Sequence, residues 1–216
     1  MQRKKKIIFI FTTSVFFAGL IFIFSTLNNV NALFLITEGL DRPSKSYYFF
    51  IERIYRLSAK NKVGDKIWGY IDNNKNAHLH NLYFQVLGIT GAEIPTGSLI
   101  KLYSLYQHDM NRRSTVSKII DAMGLLGNED FVPFLEILLT DYDKLQVQAT
   151  KYAILRSLYL ITGKRYAYIN DLGQRSKLRV TDELIEARNV IEKTTGRSRN
   201  IQEMLILDKL YRPPGW

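Results

Sequence analysis

Metal chemistry would have to start from three histidines, His78, His80 and His108, because the chain has no cysteine. His78-Leu-His80 places two imidazoles close together. On a strand both rings would face one side, but on a helix they diverge by about 200°. The flanking residues favour a helix, and no third histidine lies nearby to complete a ligand set. His108 precedes Asp109 at an expected helix end, where a cation suits the negative pole of the helix. Asp141-Tyr-Asp143 offers two carboxylates, yet Asp is a standard turn residue and the pair reads as a surface turn. No Gly-x-Ser-x-Gly elbow, phosphate loop or Gly-x-Gly-x-x-Gly occurs, and Gly124-Leu-Leu-Gly127 reads as a helix end. The residues therefore predict no catalytic set, no cofactor and no metal site. The lack of cysteine also excludes disulfides, thiol catalysis and thiolate zinc sites.

The aromatic side chains are better suited to binding than to catalysis. Tyr47, Tyr48, Phe49 and Phe50 run consecutively, and Tyr103, Tyr106, Tyr166 and Tyr168 lie further on. Tyrosine is rigid and amphipathic, which suits a contact surface as well as a core.

These side chains must be carried by helices, and the strongest sign is a fixed period. Gly91, Gly127 and Gly163 are 36 residues apart, and each closes a similar apolar segment. A period of this length marks stacked helical repeats. The first pair of helices is expected over His78–Ile89 and from Pro95 through Leu99, Leu102, Tyr103 and Tyr106. The second is expected over Arg113–Leu126 and Phe131–Leu139, and a third long helix over Leu145–Ile161. Tyr166–Ser176 reads as a weak partner helix interrupted by Gly173. Two more helices are expected, one capped by Thr181 and ended at Thr195-Gly196, the other over Ile201–Tyr211 before Pro213-Pro214. Ahead of the repeats, Ser46–Leu57 has Phe50, Ile54 and Leu57 at helical spacing, with Ser44 or Ser46 as cap, and a short helix is expected over Asp65–Ile71.

The N-terminus carries an address. Arg3, Lys4, Lys5 and Lys6 precede an uncharged apolar run, Ile7–Phe24, then a polar stretch ending Val30-Asn31-Ala32. A basic head, an apolar middle and small residues at the −3 and −1 positions form a secretory signal, with Leu33 as the new N-terminus. The 18-residue run is equally long enough for a retained anchor. Either way the basic head stays in the cytoplasm and residues 33–216 are expected outside it, in the periplasm or anchored to the inner membrane. Removing the four cations of the head lowers the formal charge from +10 to +6, with 26 Lys and Arg against 20 Asp and Glu. Such a mildly basic, exported domain suits an acidic partner or anionic lipid, not nucleic acid. The predicted division is a signal or anchor (1–32), an irregular helical region (33–76), the repeats (77–180) and capping helices with a Pro-rich tail (181–216).

The repeat resembles a HEAT repeat, in the short form named after the phycobilisome-lyase proteins. Ala122, Gly124 and Gly127 match its helix end, Val132-Pro133 and Leu135 its second helix, Asp141 and Asp143 its closing turn. Val147-Gln-Ala-Thr-Lys-Tyr-Ala-Ile-Leu resembles the next helix, with Gln148 where the family has arginine. The resemblance covers residues 112–163 well and 77–111 fairly. It implies an all-α chain with a short α-solenoid of antiparallel helix pairs, a scaffold rather than a lyase. Some HEAT-like enzymes hold iron through His-Glu pairs, and no histidine here is followed by glutamate. In such solenoids the second helices line the concave face, which makes Lys101, Tyr103, Glu136 and Tyr168 the candidate partner-binding residues. The reading is an exported, non-enzymatic adaptor for a protein partner, with membrane contact through residues 7–24 if they are retained. The alternatives are an envelope enzyme subunit, or a small-ligand or lipid-binding module with an apolar groove beside Tyr47–Phe50.

Overall fold

The computed structural model describes residues 29–40, 44–61, 63–72, 80–108, 113–140, 148–169 and 175–212. The basic head and apolar run, His78, Asp109, Asp141, Asp143, Gly173 and the tail after Arg212 lie outside the described residues. The fold is mostly helical, as expected. Among the described residues no helix is long and apolar enough to cross a membrane. The chain divides into two compact units, residues 1–57 and 58–216.

In the first unit, α1 (Val30–Glu38) is capped by Asn29, whose side chain accepts from the amides of Asn31 and Ala32. The expected cleavage site, Val30-Asn31-Ala32, thus forms the first turn of a helix, followed by the fully buried Leu33 and Phe34. Helix α2 (Lys45–Asn61) starts at Ser44, whose hydroxyl accepts from the Tyr47 amide at 3.1 Å, so Ser44 and not Ser46 is the cap. Its buried stripe is Tyr47, Ile51, Ile54 and Tyr55. Phe50, expected on that stripe, is half-buried at its edge, because the wheel centres on Ile51 and Ile54.

In the second unit, α3 (Val63–Asp72) packs on α4 (His80–Thr90). Helices α4, α6 (Arg113–Leu126) and α8 (Gln148–Thr162) lie side by side. Helix α5 (Thr96–Tyr106) packs on α6, and α7 (Val132–Thr140), entered by a tight turn at Glu129–Phe131, packs on α8. The side-by-side contacts repeat with the sequence period. Asn81 Nδ2 donates to Ser114 Oγ at 3.2 Å, and Ser117 Oγ meets Thr150 Oγ1 at 3.2 Å, the same pair 36 residues on. Further along, a Cβ on Gly88 would stand 3.0 Å from Ala122 Cα, and one on Gly124 2.6 Å from Ser157 Cα. Gly88 and Gly124 are also 36 apart. Both pairs of contacts advance in the same direction, so α4, α6 and α8 run parallel. The glycines let the backbones approach, as small residues do at close helix crossings. The third equivalent is the buried Leu160.

Two features depart from expectation. Among its described residues Tyr166–Ser176 has no helix but a hairpin, β1 (Ala167–Ile169) antiparallel to β2 (Arg175–Lys177), with Tyr168 opposite Ser176. Aromatic and β-branched residues in Tyr-Ala-Tyr-Ile favour an extended chain over a helix. The C-terminal helices α9 (Asp182–Thr194) and α10 (Ile201–Asp208) pack on α8 and α4, respectively, and on each other. Helix α9 and the segment after it run across the ends of the three parallel helices. Gly163 faces Arg188, Gly127 faces Ile191 and Thr195, and Gly91 faces Arg197 and Arg199. The three turn glycines have φ of 73°, 74° and 70°, a backbone that a side chain would strain. Helix α10 opens with a capping box between Asn200 and Glu203.

Candidate partner-binding surface

The four residues predicted to form a binding face are separated by burial. On α5, Lys101 is exposed, and one turn later Leu105 is 62% exposed. On α7, Glu136 is exposed and Ile137 is 58% exposed. Ile137 is 36 residues after Lys101, so the two occupy the same place in successive helix pairs. Tyr103 is 1% exposed, with its ring edge-on to Phe134 at 5.2 Å, and joins α5 to α7. It has no surface to offer a partner, because it points opposite to Lys101 on the helix wheel. Burial also raises its hydroxyl pKa. Tyr168 is half-buried on the hairpin, with the buried Lys151 ammonium 5.1 Å from its ring centre. Glu136 accepts a 2.7 Å hydrogen bond from Tyr166, which ties the hairpin to α7. Desolvation and this carboxylate together raise the Tyr166 pKa.

An open groove of about 560 Å³ lies at the turn end of the helices, between Gly91–Pro95, Leu126–Phe131 and Thr195–Gly196. Leu126 and Phe131 make its buried floor, and Glu93 is exposed on its rim. The Asn128 amide is already committed: it donates to Thr96 Oγ1 at 3.1 Å and accepts from the Asp130 amide at 3.0 Å. The groove therefore offers apolar side chains and backbone more than free polar side chains. At Tyr47–Phe50, Tyr47 is buried and Phe49 stands out of the helix.

Charged groups that sequence reasoning missed are mostly internal. Arg199, 2% exposed, donates to the carbonyls of Gly88 (2.6 Å), Ile89 (3.3 Å) and Leu125 (2.6 Å), and to Thr194 Oγ1 (2.7 Å). Burial pushes its pKa down to about 10, against the opposing pull of Glu203. On another face, Asp121 of α6 pairs with Arg156 of α8, with Lys118 3.8 Å away. Lys118 and Arg156 both lie over the Tyr211 ring, at 4.5 and 5.5 Å, which holds the C-terminal turn (Lys209–Tyr211) against α6 and α8. Burial opposes the charge of Arg156, but Asp121 prevails and its pKa rises. Burial, with Asp121 and Asp208 close by, raises that of Tyr211. The available signal was a lone aspartate inside the apolar Ile119-Ile-Asp-Ala-Met, since a buried charge needs a partner. Among the described residues no group of three or more His, Asp or Glu side chains gathers as a metal site. No family model, curated protein or solved structure matches this chain.

Proposed function

We propose that this chain is an exported HEAT-like α-solenoid adaptor, which binds a protein partner on the outer face of its second helices, Lys101 and Leu105 on α5 with Glu136 and Ile137 on α7. The observation that carries the reading is the 36-residue recurrence of the contacts themselves: Asn81–Ser114 with Ser117–Thr150, and Gly88 with Gly124. A stack of pairs built this way grows by repetition and presents an extended face, the usual binding surface of such arrays. Leu105 and Ile137 are large apolar side chains left in water beside Lys101 and Glu136, an apolar centre with a charged rim. Residues 7–24 would hold the adaptor at the membrane. On this reading the segment is retained, and Val30–Ala32 forms the first turn of α1 ahead of the buried Leu33.

The test is capture of the tagged full chain from cross-linked cells, comparing wild type with the triple variant Lys101→Glu, Leu105→Ser, Ile137→Ser. A stoichiometric envelope partner held by the wild type and lost by the variant supports the reading. Equal capture by both rules out this face. The groove over Leu126 and Phe131 favours a second reading, a small apolar ligand held at the turn end. Native mass spectrometry of the purified chain would then carry a constant extra mass.

A further inference from the structure

Helix α2 has a second face that the core does not use. Lys45, Phe49, Glu52 and Arg56 stand at i, i+4, i+7 and i+11, within about 60° of one another at 100° per residue. They lie opposite the buried stripe of Tyr47, Ile51 and Ile54. Phe49 is 60% exposed, with its ring edge-on to Phe50 at 5.3 Å. Arg56 bonds Glu52 at 3.0 and 2.5 Å, so Lys45 leaves this stripe one net positive charge. The next residue, Arg53, adds a further cation beside it.

The place of this helix in the chain says what would cover that face. Phe24 ends the 18-residue apolar run, and Asn29, the cap of α1, follows five residues later. Five residues span at most about 18 Å. The described residues 29–57 belong to one compact unit, so α2 stays within reach of whatever surface receives the apolar run. A helix with an aromatic side chain and flanking cations on its outer face suits the boundary between lipid headgroups and acyl chains.

We infer that α2 lies on the bilayer that the apolar run enters, with Phe49 in the headgroup boundary and Lys45 among the lipid phosphates. The inference rests on the reading of Ile7–Phe24 as a retained membrane segment. It adds a docking surface on the folded part of the chain, which would fix how the adaptor stands above the membrane. A lysine stem reaches along apolar surface while its charged end meets phosphate, so Lys45 fits this interface.

The absence of cysteine makes the test direct. A single nitroxide is placed by Phe49→Cys in the full chain, reconstituted in vesicles of phosphatidylethanolamine and phosphatidylglycerol. The same label at Ile185→Cys, an exposed site on α9, serves as the reference for water. The expected result is a label at 49 that oxygen relaxes at least about threefold more, relative to a water-soluble nickel chelate, than the label at 185. A label at 49 as open to the chelate as that at 185 overturns the inference, provided the chain floats with the vesicles. A chain that does not float shows that residues 7–24 are not a membrane segment, and the inference falls with that reading. Dipolar broadening at 49 would mean that a second copy covers the face, which also overturns it.

Discussion

Arg199 donates a 2.6 Å hydrogen bond to the carbonyl of Gly88, across 111 residues of sequence. Its other terminal nitrogen donates to Leu125 at 2.6 Å, so one guanidinium closes the last turns of α4 and α6 together. The last carbonyls of a helix have no partner within the helix and carry its negative pole. A planar cation with several donors satisfies both needs at once. The Arg199 amide also donates to the Thr90 carbonyl at 3.0 Å. The C-terminal segment therefore caps the ends of α4 and α6.

Replacing Arg199 by alanine should cost about 3 kcal/mol or more, because several buried carbonyls lose a charged donor. Arg199→Lys should recover only part of that, since one ammonium cannot span the carbonyls of two helices. Urea unfolding of the two variants against wild type measures both. Equal stability of wild type and Arg199→Ala would mean that water replaces the guanidinium.

Gly124→Ala should destabilise by about 1–3 kcal/mol, as overpacking does, because the new methyl meets Ser157 backbone and the α6–α8 spacing must widen. Gly69→Ala is the contrast. Gly69 lies inside α3 with nothing within 4 Å of an added Cβ, so alanine should stabilise by about 0.5–1 kcal/mol. Thermal melts of the pair should move in opposite directions.

Asp121→Ala should cost about 3–5 kcal/mol, the usual result of leaving one buried charge of a pair alone. The loss should also loosen the C-terminal turn, since Tyr211 lies under the same two cations. Faster amide exchange at Lys209–Tyr211 in Asp121→Asn would report that coupling.

The Arg197 guanidinium, through bonds of 2.6 and 3.1 Å, holds the Glu203 carboxyl below its usual value of 4.5. The folded pKa lies below the unfolded one, so this contribution is complete above pH about 4.5 and is lost as pH falls through the depressed folded value. Wild type should therefore lose more stability than Glu203→Gln between pH 5 and the low end of the carboxylate range. Parallel slopes for the two proteins would remove Glu203 from the acid response.

Much of the helical layout was legible because its causes are local. Thr181 caps α9 and Ser44 caps α2 through a side chain within three residues of the amide it serves. The three period glycines mark helix ends because a positive φ is a property of one residue. Tyr166–Ser176 misled because its helical reading came from the period, while alternating aromatic residues there fit a strand and its bond to Glu136 fixes the hairpin on α7. The four candidate residues divide by burial. Lys101 and Glu136 are at the surface, but Tyr103 is in the core, since a tyrosine in an amphipathic helix serves either side equally well in sequence.

The residue string alone settles the mostly helical class, the 36-residue spacing and the lack of thiol chemistry, because periodicity and composition need no partner to be read. Folding in three dimensions assigns the partners. It sets Asp121 against Arg156, lays α9 across Gly163, Gly127 and Gly91, and brings Arg199 to Gly88 and Leu125. Those pairings depend on which buried carbonyl or charge lacks a mate once the helices have met, and that is a property of the packed chain as a whole.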